Sequence, residues 1–317
     1  YWTAKGVDGL RFDMAEMVPV EFWSYMNSAI KNANPDAFLL AEVYNPSLYR
    51  DYIKKGKMDY LYDKVQLYDT LKHVMQGHGK TDNIPPIQED LKDIEHHMLH
   101  FLENHDEQRI ASPDFAGSAE KGKPAMVVSA TISTSPTMVY FGQELGEPAK
   151  EDLGFGDPTR TSIFDYGSVP SVVRWVNNKK FDGGQSTPEE RDLRNFYKRL
   201  LNFTINSSAL AGNYQDIHLY NQKNTEWYND KVLSFVRWND EEQLIIVSNF
   251  NAENTYGFEL QLPEDLVKKL NLKSGEYQVE DQLYNEYTSN LKVNNGKAQV
   301  RIDIKPLESF ILKIQKP

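Results

Sequence analysis

Carboxyl side chains follow three short apolar segments of this sequence. Asp13 ends VDGLRFD, Glu42 follows FLLA, and Asp106 closes FLENHD. A carboxyl group beside a cation stays ionised and can act as a nucleophile, whereas a desolvated one has a raised pKa and can donate a proton. One ionised and one protonated carboxyl group form the apparatus of retaining glycoside cleavage.

The first two segments suggest different roles for their carboxyl groups. Arg11 and Asp13 are two residues apart on a predicted strand, so their side chains point to the same side. The guanidinium would keep Asp13 ionised, although a structural ion pair is the alternative for this segment alone. Glu42 follows four apolar residues, so we expect it to be partly desolvated and suited to acid catalysis. Taken alone, this segment is more typical of a Glu that simply emerges into solvent at a strand end.

The third segment, Asn104-His105-Asp106, places a carboxylate and an imidazole side by side. Asp106 can hold a second negative charge, and His105 can donate a hydrogen bond to a hydroxyl. A metal site is an alternative, because three further histidines lie upstream (His96, His97 and His100). We favour it less, because those residues lead into a strand and do not converge.

Strands alternate with helices up to about residue 205, a pattern typical of a parallel sheet. The predicted strands are Val7–Asp13, Phe38–Val43, Met58–Tyr62, Met98–Leu102 and Thr137–Phe141. The predicted helices are Pro19–Lys31, Ser47–Lys55, Leu67–Gln76, Ile87–His96, Ala119–Ser133 and Pro188–Phe203, with a long loop before the last. In parallel α/β barrels the reacting groups lie at the carboxyl ends of the strands, so this order would bring the three segments together.

From about residue 212 the pattern changes to short strands separated by turns. They are Val232–Trp238, Leu244–Phe250, Thr255–Leu262, Gln299–Ile304 and Phe310–Ile314. This spacing predicts an antiparallel β-sandwich of about 100 residues. We therefore divide the chain into a catalytic part, 1–208, and a C-terminal β domain, 209–317.

Composition excludes several classes of protein. The 317 residues carry a net charge of −11, which disfavours nucleic-acid binding. No apolar run approaches the roughly 18 residues of a membrane span. The absence of cysteine removes disulfides, thiolate catalysis and Cys-ligated zinc.

Four segments in order resemble the signature regions of the α-amylase family of glycoside hydrolases. They are GVDGLRFD (6–13), FLLAEV (38–43), FLENHD (101–106) and VYFGQE (139–144). The resemblance implies strands 4–8 of a (β/α)8 TIM barrel followed by a β domain. It implies a retaining α-glucan hydrolase with Asp13 as nucleophile, Glu42 as acid/base and Asp106 as transition-state stabiliser.

The resemblance also implies substrate-binding residues. Arg11 would orient Asp13, and His105 would bind sugar hydroxyls. The family often has a Lys-His pair where this chain has Glu16 and Met17, so these two positions would shape an unusual acceptor side. Tyr44 is a further expected sugar contact. Five aromatic residues in loops or at strand ends could form sugar platforms (Tyr44, Tyr62, Phe155, Tyr166 and Trp175).

The family's first signature region and first three strands have no counterpart here, so we expect the missing N-terminal half from the same gene product or a second chain. The resemblance requires no cofactor and makes calcium possible, with a Met17 carbonyl as the nearest ligand. It mildly favours a periplasmic or extracellular location. Two alternatives stay open, namely a related transglycosylase or isomerase and a catalytically incomplete sugar-binding fragment.

Overall fold

A computed structural model describes residues 1–315 of the chain, which contain one parallel and one antiparallel sheet. The parallel sheet has five strands in sequential order: β1 (Gly9–Phe12), β2 (Phe38–Ala41), β3 (Tyr60–Tyr62), β4 (Met98–Phe101) and β5 (Thr137–Met138). Gly9 lies opposite Phe38, and a Cβ at Gly9 would come within 2.6 Å of the Phe38 carbonyl oxygen. The close pairing of β1 with β2 therefore requires glycine there.

Helices lie between consecutive strands of this sheet, as predicted, and two more follow its last strand. They are α1 (Val20–Ala33), α2 (Tyr49–Lys54), α3 (Asp69–Met75), α4 (Ile84–Leu91), α5 (Gly122–Thr131), α6 (Pro170–Val176) and α7 (Pro188–Asn206). The predicted helix Ile87–His96 is wrong at both ends: α4 begins earlier, with prolines in its first turn, and a separate 3-10 turn covers Glu95–His97. Helix α6 lies in a stretch expected to be loop.

The antiparallel sheet has eight strands in the order β6-β7-β8-β13-β10-β11-β12-β9. They are β6 (Asn213–Asp216), β7 (Val232–Trp238), β8 (Gln243–Asn249), β9 (Tyr256–Leu262), β10 (Gly275–Asp281), β11 (Thr288–Asn294), β12 (Lys297–Ile304) and β13 (Ser309–Ile314). Helix α8 (His218–Asn224) follows β6, and α9 (Glu264–Lys269) follows β9. The sequence predicted five of these strands and missed β6, β10 and β11.

One apolar cluster joins both ends of this sheet. It contains Val236 and Ile245 from β7 and β8, together with Phe258 and Ile302 from β9 and β12. The strands thus surround a shared core and are hydrogen-bonded into one continuous antiparallel sheet, and the sandwich arrangement stays a prediction.

A second apolar cluster packs the antiparallel sheet against the helices of the parallel part. The other face of β7 and β8 contributes Phe235 and Ile246, which join Met126 of α5 and Leu200 of α7. The boundary between residues 208 and 209 stays a prediction, because this core is continuous across it. Across the described residues, no helix combines the length and apolar character needed to cross a membrane.

Candidate active site

The three predicted carboxylates follow strands of the parallel sheet at its carboxyl edge. Asp13 comes directly after β1, Glu42 directly after β2, and Asp106 five residues after the end of β4. Their exposure differs: the Asp13 side chain is 71% exposed, whereas the Glu42 side chain is 10% exposed. The expected burial of Glu42 is therefore confirmed.

Arg11 joins the first two carboxylates. Its Nη1 donates to Oδ1 of Asp13, and its Nη2 lies 3.2 Å from Oε2 of Glu42. The backbone N–H of Met14 donates to the same Glu42 oxygen at 2.9 Å. Met14 has the left-handed conformation (φ 41°), which is uncommon outside glycine and directs this amide towards Glu42.

Two tyrosines connect Glu42 with the segment after β4. Burial, followed by a hydrogen bond with Glu42 and the negative charge of Asp106, raises the pKa of Tyr44. Burial also raises the pKa of Tyr62, whose ring lies 5.6 Å from the Arg11 guanidinium and which also senses Asp106. Glu42 and Asp106 therefore both contribute to the raised pKa of these two phenols, in keeping with their positions after strands of one parallel sheet.

The segment after β4 is held by its own polar groups. The side-chain oxygen of Asn104 accepts hydrogen bonds from the amides of Asp106 and Glu107, both at 2.8 Å. Nε2 of His105 lies 3.1 Å from Oδ2 of Asp106. His105 is largely buried and Asp106 partly exposed, so the imidazole supports a carboxylate that is open to a ligand.

Glu16 has a position that the sequence did not suggest. Its carboxylate accepts hydrogen bonds from the amides of Tyr44 and Asn45, both at 2.9 Å. It therefore links the segment after β1 to the one after β2. Met17 is exposed. The expected substrate contacts of Glu16, Met17 and Tyr44 stay predictions.

Sequence reasoning missed a buried ion pair beneath the site. Nη1 of Arg109 lies 2.8 Å from Glu103, and the Ile110 amide donates to the same carboxylate at 2.7 Å. The Arg109 guanidinium also lies 4.5 Å from the Tyr140 ring. One sequence feature indicates this pair: the charged Glu103 comes directly after the apolar Phe101 and Leu102.

The histidines upstream do not form a metal site. Nδ1 of His100 lies 2.9 Å from the carbonyl oxygen of Ser129, on α5. Within residues 1–315 no group of three or more His, Cys, Asp or Glu side chains could hold a metal ion. Calcium binding through the Met17 carbonyl stays a prediction.

The geometry supports two distinct carboxyl functions. The exposed Asp13, held beside a guanidinium, can approach an electrophile. The buried Glu42 can exchange a proton with a ligand that enters from the same side. Asp106 can stabilise positive charge that develops between them.

Comparisons with known proteins identify the family of this chain. The family model "Alpha amylase, catalytic domain" matches residues 1–293. Alpha-amylase 3 of Dictyoglomus thermophilum is 24% identical over 83% of this chain and 54% of its own length. Neopullulanase 2 of Thermoactinomyces vulgaris is 23% identical over 98% of this chain and 46% of its own length.

Solved structures show the same fold. The α-amylase from Geobacillus thermoleovorans, solved with acarbose, superposes with a TM-score of 0.72 at 19% identity, over 99% of this chain and 62% of that one. The chain spans about half the length of the curated relatives it matches. By the family match over most of its length, this chain belongs to the α-amylase family of glycoside hydrolases.

Proposed function

We propose that this chain carries the catalytic carboxylates of a retaining hydrolase that acts on α-glucans such as starch and maltooligosaccharides. Asp13 is the nucleophile, Glu42 the acid/base and Asp106 the transition-state stabiliser. Arg11 orients Asp13, and His105 binds hydroxyls of the sugar that is cleaved. The names of the curated relatives, an α-amylase and a neopullulanase among them, support this substrate class.

The reaction has two displacements. The Glu42 carboxyl protonates the glycosidic oxygen while Asp13 attacks the anomeric carbon, so that the glycosidic bond breaks and a glycosyl ester forms. The Glu42 carboxylate then removes a proton from water, and the resulting hydroxide equivalent displaces Asp13. Both carboxyl groups return to their starting states, as in retaining glycosidases generally.

One observation carries this proposal: a single guanidinium binds both Asp13 and Glu42. Retaining enzymes need two carboxyl groups close enough for one to attack while the other donates a proton. The shared contact with Arg11 brings these two side chains together, and their different burial gives them different environments.

We assign β1–β5 to strands 4–8 of a (β/α)8 barrel. The assignment implies three further parallel strands, from the N-terminal half of the same gene product or from a second chain, which pair with β1 and β5. These two strands lie at the edges of the parallel sheet, and unpaired edges are a liability.

A transglycosylase or isomerase is the second candidate. The Glu16 carboxylate accepts a hydrogen bond from the Tyr44 backbone amide, and Met17 is apolar and exposed. Neither residue therefore provides a cation on the side where the acceptor, water or sugar, is expected to bind. An altered acceptor side changes the competition between water and sugar for the glycosyl ester. Product analysis separates the two reactions, because transfer from maltoheptaose gives longer chains and hydrolysis gives only shorter ones.

Reducing-sugar release from maltoheptaose tests the proposal. The chain should release sugar, and Asp13→Asn should abolish the release. Asp36→Asn is the matched control, because Asp36 is an exposed aspartate that precedes β2 at the opposite end of the sheet. Release that persists in Asp13→Asn would refute the assignment. A folded chain that binds maltoheptaose without cleaving it would favour the incomplete sugar-binding fragment.

A further inference from the structure

A π-helical turn, Lys64–Tyr68, follows β3 at the same edge of the parallel sheet as the candidate active site. Asp63, which precedes the turn, bonds its end: the Asp63 side chain accepts from the Leu67 amide at 3.1 Å, and the Asp63 carbonyl accepts from the Tyr68 amide at 3.2 Å. Turns of this kind are rare and often lie at functional sites. This one directs two side chains towards the segment that carries Asp106.

Glu107, the residue after Asp106, is bound by three side chains from the segment after β3. Its Oε2 accepts a hydrogen bond from the Tyr68 hydroxyl at 2.8 Å and lies 3.5 Å from Nζ of Lys72. Its Oε1 lies 3.1 Å from Nζ of Lys64. The Glu107 side chain is 14% exposed, so solvent screens these contacts less than those of a surface ion pair.

Tyr68 joins these contacts to β4. Its ring stacks on Phe101, the last residue of β4, with ring centroids 4.7 Å apart and planes 9° apart. Burial, followed by the negative charge of Glu107, raises the pKa of Tyr68 well above its ordinary 10. The phenol therefore keeps its proton and donates it in the hydrogen bond to Glu107.

The charges around Glu107 balance. Lys64 and Lys72 are positive, whereas Glu107 and Asp69 are negative, and Asp69 lies 2.7 Å from Nζ of Lys64. Burial opposes the charge of Lys64, but Asp69 and Glu107 outweigh this effect and raise the pKa of Lys64. The Asp106 carboxylate contacts the His105 imidazole instead, so its own charge is not spent on the two lysines.

The charge of Glu107 reaches the groups that we assign to the reaction. Burial, followed by a hydrogen bond with Glu42, raises the pKa of Tyr44, and the charges of Asp106 and Glu107 add to this increase. The same phenol thus contacts the acid/base and responds to Glu107. A change of charge at Glu107 will therefore be felt in the site.

We propose that Glu107 is a positioning residue for Asp106 and that it neutralises Lys64 and Lys72, so that Asp106 faces the positive charge of the reacting sugar without two competing ammonium groups. The inference rests on the proposed function. Positive charge builds up on the sugar in the oxocarbenium-like transition state, and an uncompensated ammonium nearby opposes it. Glu107 therefore acts on the rate of bond cleavage more than on the binding of a neutral glucan.

Initial rates on maltoheptaose test this role. Glu107→Gln keeps the size of the side chain and an acceptor for Tyr68, but it leaves one positive charge in excess. Its kcat should fall by about 10-fold, with KM nearly unchanged. Glu89→Gln is the matched control, because Glu89 pairs with Lys92 on the exposed surface of α4, and it should behave as the parent.

The double variant Glu107→Gln/Lys72→Met separates the charge effect from a merely structural one. It restores the balance of charge, so it should recover most of the lost kcat. A structural role predicts the reverse, because the second substitution removes a further contact. A double variant slower than Glu107→Gln would therefore overturn the proposal, as would a full kcat in Glu107→Gln. Circular dichroism shows that each variant is folded.

Calorimetric binding of acarbose and of maltoheptaose, in a Glu42→Gln background, gives a readout that needs no hydrolysis. Acarbose contains an amine that is positively charged when protonated, whereas maltoheptaose is neutral. Glu107→Gln should weaken acarbose binding by about 10-fold and leave maltoheptaose binding nearly unchanged. Equal effects on the two ligands, or binding of neither by the chain that retains Glu107, would overturn the role of Glu107.

The two proposals can fail separately. If the unsubstituted chain releases no sugar but Glu107→Gln weakens acarbose binding alone, hydrolysis fails and the role of Glu107 towards a cationic sugar stands. If the chain hydrolyses maltoheptaose and Glu107→Gln keeps both kcat and acarbose binding, the role of Glu107 fails and hydrolysis stands.

Discussion

The Arg11 guanidinium lies 3.2 Å from the Glu42 carboxylate, although Arg11 belongs to β1 and Glu42 follows β2. Arg11 pairs in register with Leu40, two residues before Glu42. The parallel pairing of β1 with β2 therefore creates this contact. Because Arg11 also binds Asp13, one cation serves both carboxyl groups that we assign to the reaction.

Arg11→Met should lower kcat on maltoheptaose by about 100-fold or more, the usual scale for losing one preorganised charged group. Arg11→Lys should recover only part of the rate, because an ammonium cannot make two directed contacts. Initial rates at saturating maltoheptaose measure both effects.

Arg50→Met is the control for this change. Arg50 forms a surface ion pair with Asp93, and such pairs contribute about 0–1 kcal/mol to stability. Its removal should leave kcat unchanged. A full rate in Arg11→Met would show that the shared guanidinium has no part in the reaction.

The parallel strands could be located from the sequence because most are short, mainly apolar runs, and a carboxylate follows each of β1, β2 and β3 directly (Asp13, Glu42 and Asp63). The same signal located Asp13 and Glu42. The antiparallel strands β10 and β11 escaped prediction because their segments, GEYQVED and TSNLKVN, bury only alternate residues and are otherwise polar.

The contacts that organise the site could not be read from local sequence. Glu16 binds amides that lie 28 and 29 residues away, and Arg11 reaches Glu42 only through strand pairing. Such relations depend on tertiary packing, which periodicity does not encode.

Glu16 should act through the backbone it holds. Glu16→Ala leaves the amides of Tyr44 and Asn45 without their acceptor, so the segment that carries Glu42 should loosen and kcat should fall by about 10- to 100-fold. Glu16→Gln keeps an acceptor oxygen and should retain most of the rate. Full Michaelis curves on maltoheptaose provide the measurement.

Glu21→Ala, at an exposed position of α1, is the matched control and should behave as the parent. A direct substrate contact predicts a different pattern, in which Glu16→Gln raises KM as much as Glu16→Ala does. That pattern would show that Glu16 binds substrate directly, as the sequence predicted.

Arg109→Met should destabilise the protein strongly. Arg109 is fully buried, and its loss would leave the buried Glu103 carboxylate without its cation. Breaking one side of a buried pair costs about 3–5 kcal/mol in free energy of unfolding. Urea unfolding of the variant and its parent measures this difference.

Two further variants sharpen this test. Arg301→Met removes an exposed pair with Asp303 and should cost no more than about 1 kcal/mol. The double variant Glu103→Leu/Arg109→Met removes both buried charges and should recover part of the stability. The single variant Glu103→Leu is measured beside them. If the double variant lost as much stability as Glu103→Leu and Arg109→Met together, an unpaired buried charge would not be the cause of the loss in Arg109→Met.

His218 should make the stability depend on pH between neutral and mildly acidic conditions. It is fully buried, with Nε2 2.9 Å from Oδ1 of Asp82 and Nδ1 2.9 Å from the Tyr228 hydroxyl. Burial lowers the pKa of His218 below its ordinary 6.5, despite the opposing effect of Asp82. The unfolded chain therefore binds a proton at a higher pH than the folded chain does, and the stability contributed by neutral His218 is lost as pH falls below about 6.5.

The free energy of unfolding in urea at pH 7.5 and at pH 5.5 measures this effect. The parent should lose more stability between these two values than His218→Gln does, because the variant has no imidazole to protonate. His73→Gln, at an exposed position of α3, should keep the pH dependence of the parent. If His218→Gln instead lost more stability than the parent on acidification, the contact with Asp82 would outweigh burial, and protonated His218 would stabilise the fold.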